Sequence, residues 1–443
     1  METGVLISLF LFLGLIIVGM PLGWVFVAST AAGLFLIDTP LSFMAGTFFH
    51  SLFTPVVMAI GFFVFAGGLI SEAGLADRIV RFSYALVGKA KGGLIVVGIV
   101  ATLFMSALTG SSVPCISALI PLLVPRLEKY GYQKRYTTAV LCSSSFLGYL
   151  IPPSVPALIY CLVAQQSVAA LFLATVFPGL LLAIGYCVLN YFIVDKYTFP
   201  SAEKPVLPDN FKDSMKELGA ATWSALPALG CPLIILVGIY GGICTPNEAG
   251  AIAVIYCMIV GFFIYRDLKM SNFSKAMVNT CVTLGMIALL LGGGTVLTRF
   301  LTREGVAQAL AAGMLGLFHS KFMILISINL FLLLLGMFLD GIPILILAVP
   351  LILPLANELG VNLVHLGSMM IVNIGLGVMT PPFAMSIFVG SRLSGVAAGE
   401  LIPPMMKYLF LVGIPVLLLT TYIPFLSCWL PTIALGSQIV GPW

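Results

Sequence analysis

Five prolines return at one fixed spacing in the two halves of this chain. Pro114, Pro121, Pro125, Pro152 and Pro153 reappear as Pro343, Pro350, Pro354, Pro381 and Pro382, every pair 229 residues apart. Gly131, Leu147 and Gly148 recur at the same offset as Gly360, Leu376 and Gly377, and residues 110–160 need no gap for the match. Proline lacks the amide donor and clashes with the preceding turn, so a helix interior tolerates it poorly. Any fold for this chain must accommodate the same set of helix breaks twice.

Composition says where those breaks lie. The chain is 60% hydrophobic and 8% charged, against about 25% charged in ordinary soluble domains. No soluble core could hide so much apolar surface, so the solvent around it is lipid. Apolar runs of about 20 residues favour helices over a barrel, whose strands would alternate over roughly ten. The 45 glycines and 27 prolines then point to closely packed, interrupted helices rather than disorder. Doubled breaks in such a chain mark a secondary transporter built from repeats, with its binding site at the breaks.

Other classes are disfavoured. The net charge of +4 suggests membrane topology, not nucleic acid. The nine cysteines form no CxxC pair and read as packing residues. His50, His319 and His365 fall near span ends and read as interfacial rather than metal-binding. There is no Walker A lysine motif, no GxSxG and no carboxylate–histidine set, so neither ATP hydrolysis nor enzyme chemistry is expected. The N-terminus lacks a basic leader, and the first apolar run reads as a retained span.

The polar stretch 195–221 divides the chain into repeats at 1–194 and 222–443, with a short surface helix expected near 210–219. The first half shows apolar segments at 4–19 and 21–36, an arm at 39–50 and a span at 54–73. A hairpin at 93–125, an interrupted span at 136–163 and a span at 168–193 follow. The second half shows 224–240, 249–265, a span at 277–298, an arm at 303–318, a hairpin at 322–356, an interrupted span at 366–390 and a last span at 408–430. Arg78, Arg81, Lys89 and Lys91 precede the first hairpin, and Arg126, Lys129, Lys134 and Arg135 follow it. Both its ends therefore face the cytoplasm, as in a re-entrant hairpin or a pair of full spans. The second hairpin has only Lys321 before it and Glu358 after it, and opens outside; Arg266, Lys269, Lys275 and Arg392 fall inside. With each hairpin counted as zero, each half crosses five times. An odd count inverts the second copy, with both termini outside and the connector inside. The expected fold is an all-α polytopic membrane protein, an inverted repeat with two re-entrant hairpins and two broken helices.

The breaks carry the candidate chemistry. Thr109-Gly110-Ser111-Ser112 before Pro114 is a good helix start, in which serine caps free amides. The same groups can coordinate Na⁺ through hydroxyls and carbonyls, and an exposed helix start attracts an anion. Facing it, Ser143-Ser144-Ser145 leads through Gly148 to Ile151-Pro152-Pro153-Ser154. Two consecutive prolines free carbonyls one turn earlier, and these must meet protein, water or a cation in hydrocarbon. The second copy offers Asp340-Gly341-Ile342-Pro343 and a broken span with Asn373, Gly377, Thr380-Pro381-Pro382 and Ser386. Asp340, the only charge between Lys321 and Glu358, is a functional candidate because a carboxylate at membrane depth is costly; it also suits a helix cap. Thr245-Pro246-Asn247-Glu248 reads as a capping arrangement. Arg299 and Arg303 read as snorkelling anchors, with anion attraction at the outer mouth as the alternative.

TGSSVP at 109–114, YGYQKRYTTAVLCSSSFLGYLIPPSVPALIY at 130–160, GGICTPNEA at 241–249 and NIGLGVMTPPFA at 373–384 resemble the large membrane subunit of tripartite ATP-independent periplasmic (TRAP) transporters. The resemblance covers essentially the whole chain. It departs at Pro114-Cys115-Ile116-Ser117, where many members carry small alanine and threonine residues, which bears on the substrate rather than the family. The resemblance implies a scaffold and a transport domain that moves as an elevator, in a bacterial inner membrane. It implies Na⁺-driven uptake of a small organic anion, a carboxylate or sulfonate, with two or more ions co-transported. Its implied partners are a periplasmic binding protein that delivers the anion and a small four-helix membrane subunit. By position, one sodium site would use Ser111, Ser112, Gly148, Ile151 and Pro153, and a second Gly341, Gly377, Met379, Thr380 and Pro382. The substrate would lie between the tips, near Thr109, Ser111, Ser145, Ser154, Asp340, Asn373 and Ser386. The rival reading is a sodium/anion symporter or exchanger of the same fold that needs no binding protein.

Overall fold

The computed structural model describes residues 3–88, 92–199, 211–318, 320–382 and 384–443. Lys89, Lys91, connector residues 200–210 and His319 lie outside them. The first half contains α1 (Thr3–Ile17), α2 (Leu22–Leu36), α3 (Ser42–Leu52), α4 (Pro55–Glu72), α5 (Leu75–Val87), α6 (Gly93–Thr109), α7 (Ser112–Lys129), α8 (Lys134–Ser144), α9 (Val155–Ala164) and α10 (Val168–Ile193). The second contains α11 (Phe211–Tyr240), α12 (Pro246–Ile259), α13 (Met270–Arg303), α14 (Val306–Leu317), α15 (Lys321–Phe338), α16 (Gly341–Glu358), α17 (Leu363–Gly377), α18 (Met385–Ser394), α19 (Ala398–Tyr408), α20 (Ile414–Tyr422), α21 (Phe425–Leu435) and α22 (Ser437–Val440). A single bridge between Tyr132 and Thr198 is the only β pairing among the described residues.

The proline repeat is a repeat of whole elements. Shifted by 229 residues, α6 to α9 fall on 322–338, 341–358, 363–373 and 384–393, where α15 to α18 stand. The hairpins are α6–α7 and α15–α16; the broken helices are α8–α9 and α17–α18. Pro121 and Pro125 sit inside α7, and Pro350 and Pro354 inside α16. The copies differ where α3 and α4 of the first half correspond to a single continuous α13 of 34 residues, about 51 Å at 1.5 Å per residue.

Four expectations change. The short surface helix near 210–219 is instead the opening of the 30-residue α11, because helix-forming Lys216, Glu217 and Leu218 lead directly into the apolar stretch. The segments 4–19 and 21–36 are shorter than two spans: α1 and α2 have 15 residues each, about 22 Å against a hydrocarbon core of about 30 Å. Gly19, at φ +83, turns the chain between them. The pair still returns to its starting side, so the inversion is unaffected. The last span starts earlier than 408, at Ala398, and ends at Tyr422. Pro424 separates it from α21. Finally, the amphipathic α5, which the sequence reading passed over, packs against α6 and α11.

One end of the molecule gathers the basic side chains. Arg78 pairs with Asp267 at 2.8 Å, Lys275 with Glu72 at 2.8 Å and Arg126 with Asp77 at 3.0 Å. Lys407 donates to the Tyr197 hydroxyl at 2.8 Å. By the positive-inside rule this is the cytoplasmic end. Among the described residues, only Arg299, Arg303 and Lys321 carry positive side chains at the other end.

A large core packs hairpins, broken helices and α10 together, while a smaller cluster seats α1 and α2 on α13. Exposed side chains such as Phe10, Phe35, Phe53, Trp223 and Phe263 cover the outer helices, as a lipid-facing surface requires. α15 and α17 meet backbone to backbone: a Cβ on Gly336 would lie 2.6 Å from the Gly377 Cα. Gly336→Ala is therefore expected to destabilise the protein by about 1–3 kcal/mol, read as a lowered thermal midpoint in detergent. Gly46→Ala, where nothing lies within 4 Å, should leave it unchanged, and equal midpoints for the two variants would contradict this packing.

Candidate functional site

Each hairpin tip meets a broken helix at its break. α6 ends at Gly110, in the left-handed region at φ +61. A Cβ there would fall 2.4 Å from the Pro153 carbonyl oxygen, and one on Gly148 would fall 2.7 Å from that of Ser111. The Val155 amide donates to the Gly110 carbonyl at 3.2 Å. Tip and break thus touch backbone to backbone, and side chains at either glycine would separate them.

Both helix starts at the tips are left without side-chain caps. Ser111 occupies the N-cap position of α7 and Asp340 that of α16, yet neither side chain accepts a capping hydrogen bond. This corrects the expectation that serine and aspartate cap these helices. Side-chain caps form at only a few helices: Ser154 caps α9, Ser167 caps α10, Asn362 caps α17, and Thr245 with Glu248 makes a complete capping box, while Thr54 and Ser320 leave α4 and α15 uncapped. Polar groups at the tips are thus available for something other than capping. Ser112 is fully buried, and its Oγ makes no well-formed hydrogen bond, with the Tyr149 hydroxyl close by.

The first break is a turn of 3-10 helix, Ser145–Tyr149, followed by a cis Pro152-Pro153 bond. The Leu147 carbonyl accepts from the amides of Leu150 and Ile151 at 3.0 Å each. Among the described residues, no hydrogen bond is donated to the carbonyls of Ile151, Pro152 or Pro153. The second break repeats the cis bond at Pro381-Pro382. There Thr380 folds back, its amide on the Gly377 carbonyl at 2.9 Å and its hydroxyl on that of Leu376 at 2.7 Å. Met379 Sδ accepts from the Tyr186 hydroxyl at 3.8 Å.

The structure brings Ser111, Ser112, Gly148 and Pro153 together, with Ile151 beside them in the chain. The second set closes differently. Gly341 lies against Ile374 and Tyr149, and Gly377 lies against Gly336 of α15, not against the tip residue that the repeat would supply.

Several residues assigned to the substrate make hydrogen bonds within the fold, although Asn373 Oδ1 is left without a partner. Thr109 donates to Met105 or Ser111 carbonyls at 3.0 and 3.2 Å. Ser145 donates to Cys142 at 2.8 Å, Ser154 to Tyr149 at 2.6 Å and Ser386 to Val378 at 3.1 Å. Asn373 donates to the Asn329 carbonyl and side chain at 2.9 and 2.8 Å. All five are buried, because a hydroxyl or amide beside a backbone break finds a carbonyl before it finds a ligand. Ser111 and Asp340 remain at the tips and are only half-buried.

Tyr149 is the residue that sequence reasoning missed. Its hydroxyl donates to Asp340 Oδ1 at 3.3 Å, and its ring packs on Gly341. It therefore ties the first break to the second tip. Its offset partner is Val378, so an unpaired aromatic inside a duplicated break was the available signal.

Comparison with known proteins follows this geometry. Residues 9–426 match the family described as Tripartite ATP-independent periplasmic transporter, DctM component. The chain is 33% identical to a C4-dicarboxylate TRAP transporter large permease of Vibrio cholerae, over 97% of this chain and 98% of that protein. It is 34% identical to a sialic acid TRAP transporter large permease from the same organism, over 97% of this chain and 99% of that one. It is also 33% identical to an isethionate TRAP transporter permease of Oleidesulfovibrio alaskensis, over 87% of this chain but only 59% of that longer protein. The YdaH transporter of Alcanivorax borkumensis shares the fold, with a TM-score of 0.59 at 16% identity, over 96% of this chain and 99% of that one.

In sodium-free detergent, Ser154→Ala removes a cap and should cost about 1 kcal/mol. Ser112→Ala removes only an unpartnered hydroxyl and should be neutral or slightly stabilising. Thermal unfolding of both variants checks this, and a Ser112→Ala loss equal to that of Ser154→Ala would show that Ser112 already has a partner.

Proposed function

The chain belongs to the DctM component family of tripartite ATP-independent periplasmic transporters, and from that premise we propose that it carries a small organic anion inward together with Na⁺. It is a multi-pass membrane protein of the bacterial inner membrane and a transporter permease, not an enzyme. The observation that carries the sodium reading is the first tip and break: a buried, unpartnered Ser112 hydroxyl beside carbonyls that accept no hydrogen bond. A cation satisfies such groups where water is excluded. Ser111 and Ser112 with the carbonyls of Gly148, Ile151 and Pro153 hold one ion. Gly341, Gly377, Met379, Thr380 and Pro382 hold a second.

The substrate lies between the tips, against Ser111, Tyr149 and Asp340. No lysine or arginine stands at either tip, so the uncapped starts of α7 and α16 supply the positive field. An ionised Asp340 beside an anion would repel it by roughly 1–4 kcal/mol at 4 Å, from water to a protein surface. Sodium between them turns that repulsion into attraction, so anion binding depends on the cation. Two ions with a monoanion carry one net positive charge, worth about 2.3 kcal/mol per 100 mV.

The hairpins and broken helices move as one body against the outer helices, in an elevator cycle. A periplasmic binding protein delivers the anion, and a small four-helix membrane subunit completes the scaffold. Relatives named for isethionate, C4-dicarboxylates and sialic acid support a carboxylate or sulfonate as the substrate.

Vesicles holding the chain and its small subunit, supplied with the binding protein, should take up labelled anion only under an inward Na⁺ gradient. Uptake that persists without Na⁺ would refute the coupling, and uptake without the binding protein would favour the exchanger. Separately, Na⁺ at about 100 times its dissociation constant should stabilise the purified protein by about 2.7 kcal/mol. Ser112→Ala should lose most of this, and full retention would remove Ser112 from the ion site.

A further inference from the structure

A cavity of about 440 Å³ opens at the outer end of the molecule, between α13 and α3 on one side and α9 and α16 on the other. Arg299 and Arg303 line it from α13, with Thr295 and Thr302 on the same face, since residues three or four apart are neighbours on a helix. Gln165, at φ +54 just beyond α9, closes one side. Ile346 and Pro350 of α16 form an apolar wall, and the Thr298 hydroxyl bonds the Ile346 carbonyl at 3.3 Å across the floor.

Four observations separate these arginines from interface anchors. The positive-inside rule disfavours lysine and arginine at this end, yet two of the three described there converge on one cavity. Arg299 and Arg303 are exposed, as snorkelling side chains are, but they line a cavity whose far side is walled by α9 and α16. The repeat offset pairs Arg299 and Arg303 with Ile70 and Gly74, so the charges belong to the outer side alone. They also lack acid partners among the described residues, unlike Arg78 and Arg126 in the inner cavity of about 430 Å³, which pair with Asp267 and Asp77. Arg303 instead stands 6.0 Å over the Phe43 ring.

We propose that this cavity is an outer capture site for the anion. Arg299 and Arg303 take its carboxylate or sulfonate, Thr295, Thr302 and Gln165 offer hydrogen bonds, and the α16 wall accepts the carbon skeleton. A volume of this size suits a small ligand. The site lies between the outer helices and the hairpin set, so the anion is held beside the moving body before it reaches the tips. The inference rests on the uptake reading above. An anionic lipid headgroup offers arginine the same chemistry, and the test separates the two.

The experiment is binding-protein-dependent uptake in vesicles at fixed Na⁺, comparing wild type with the double variant Arg299→Ala, Arg303→Ala. The apparent KM for substrate-loaded binding protein should rise about tenfold, while the maximal rate and the half-saturating Na⁺ concentration stay near wild type. Arg299→Lys with Arg303→Lys should keep most of the wild-type KM and so guards against misfolding. Added choline chloride should raise the wild-type KM more than that of the alanine variant. An unchanged KM overturns the proposal. So does an effect seen only in vesicles containing phosphatidylglycerol, which assigns the arginines to headgroups. So does equal weakening of loaded and empty binding protein in a surface-binding measurement, which assigns them to docking. Wild-type uptake that ignores Na⁺ would instead overturn the uptake reading itself.

Discussion

A backbone carbonyl in hydrocarbon has nowhere to turn except to protein, trapped water or a cation. This chain places two consecutive prolines, which have no amide to donate, at the middle of two helices and so creates that need twice. The rest of the fold answers it. Hairpins enter from opposite ends and press their tips against the breaks, and serines near the breaks bond whatever carbonyls they can reach. At the first break the carbonyls of Ile151, Pro152 and Pro153 stay without donors, and a buried hydroxyl stays without a partner. Ser143 Oγ and Asn373 Oδ1 of the broken helices are buried without partners as well, and a transported cation is one group that open carbonyls and hydroxyls at a break can take.

The two copies do not close identically. The first tip sits on its break through Gly110 and Gly148; the second crosses its broken helix through Gly336 and Gly377. Tyr149 joins one copy to the other by reaching Asp340. Alternating access needs such inequality, because two copies in identical arrangements would open to both sides or to neither. The outer arginines extend the same principle, adding charge to one copy where the repeat has none.

Much of this was legible in the sequence because proline is a covalent statement about the backbone. Pro114, Pro152, Pro153 and their partners locate hairpins and breaks before any contact is known. Over the hairpins and broken helices the offset carries helix bounds from one half to the other within one residue, except that α17 runs four residues past the shifted end of α8. Lysine and arginine gave the cytoplasmic end because the bilayer sorts them. What escaped depended on packing. Ser145, Ser154, Asn373 and Ser386 look like ligands in a list of polar residues, but the folded chain turns each toward a carbonyl. Tyr149 looks like an apolar filler until α16 brings Asp340 beside it. The early end of α1 and the continuous α11 depend on tertiary contacts and propensity together, which hydrophobic runs alone do not report.

The most direct test is a pair of high-resolution density maps of the permease complex in lipid, one in sodium chloride and one in choline chloride. The account requires α6–α7 and α15–α16 to enter and leave on one side each. It also requires a compact density between Ser112, Gly148 and Pro153 that is present with sodium and gone without it. Maps in which those helix pairs cross the bilayer fully, or in which the space holds the same density in both salts, would contradict it.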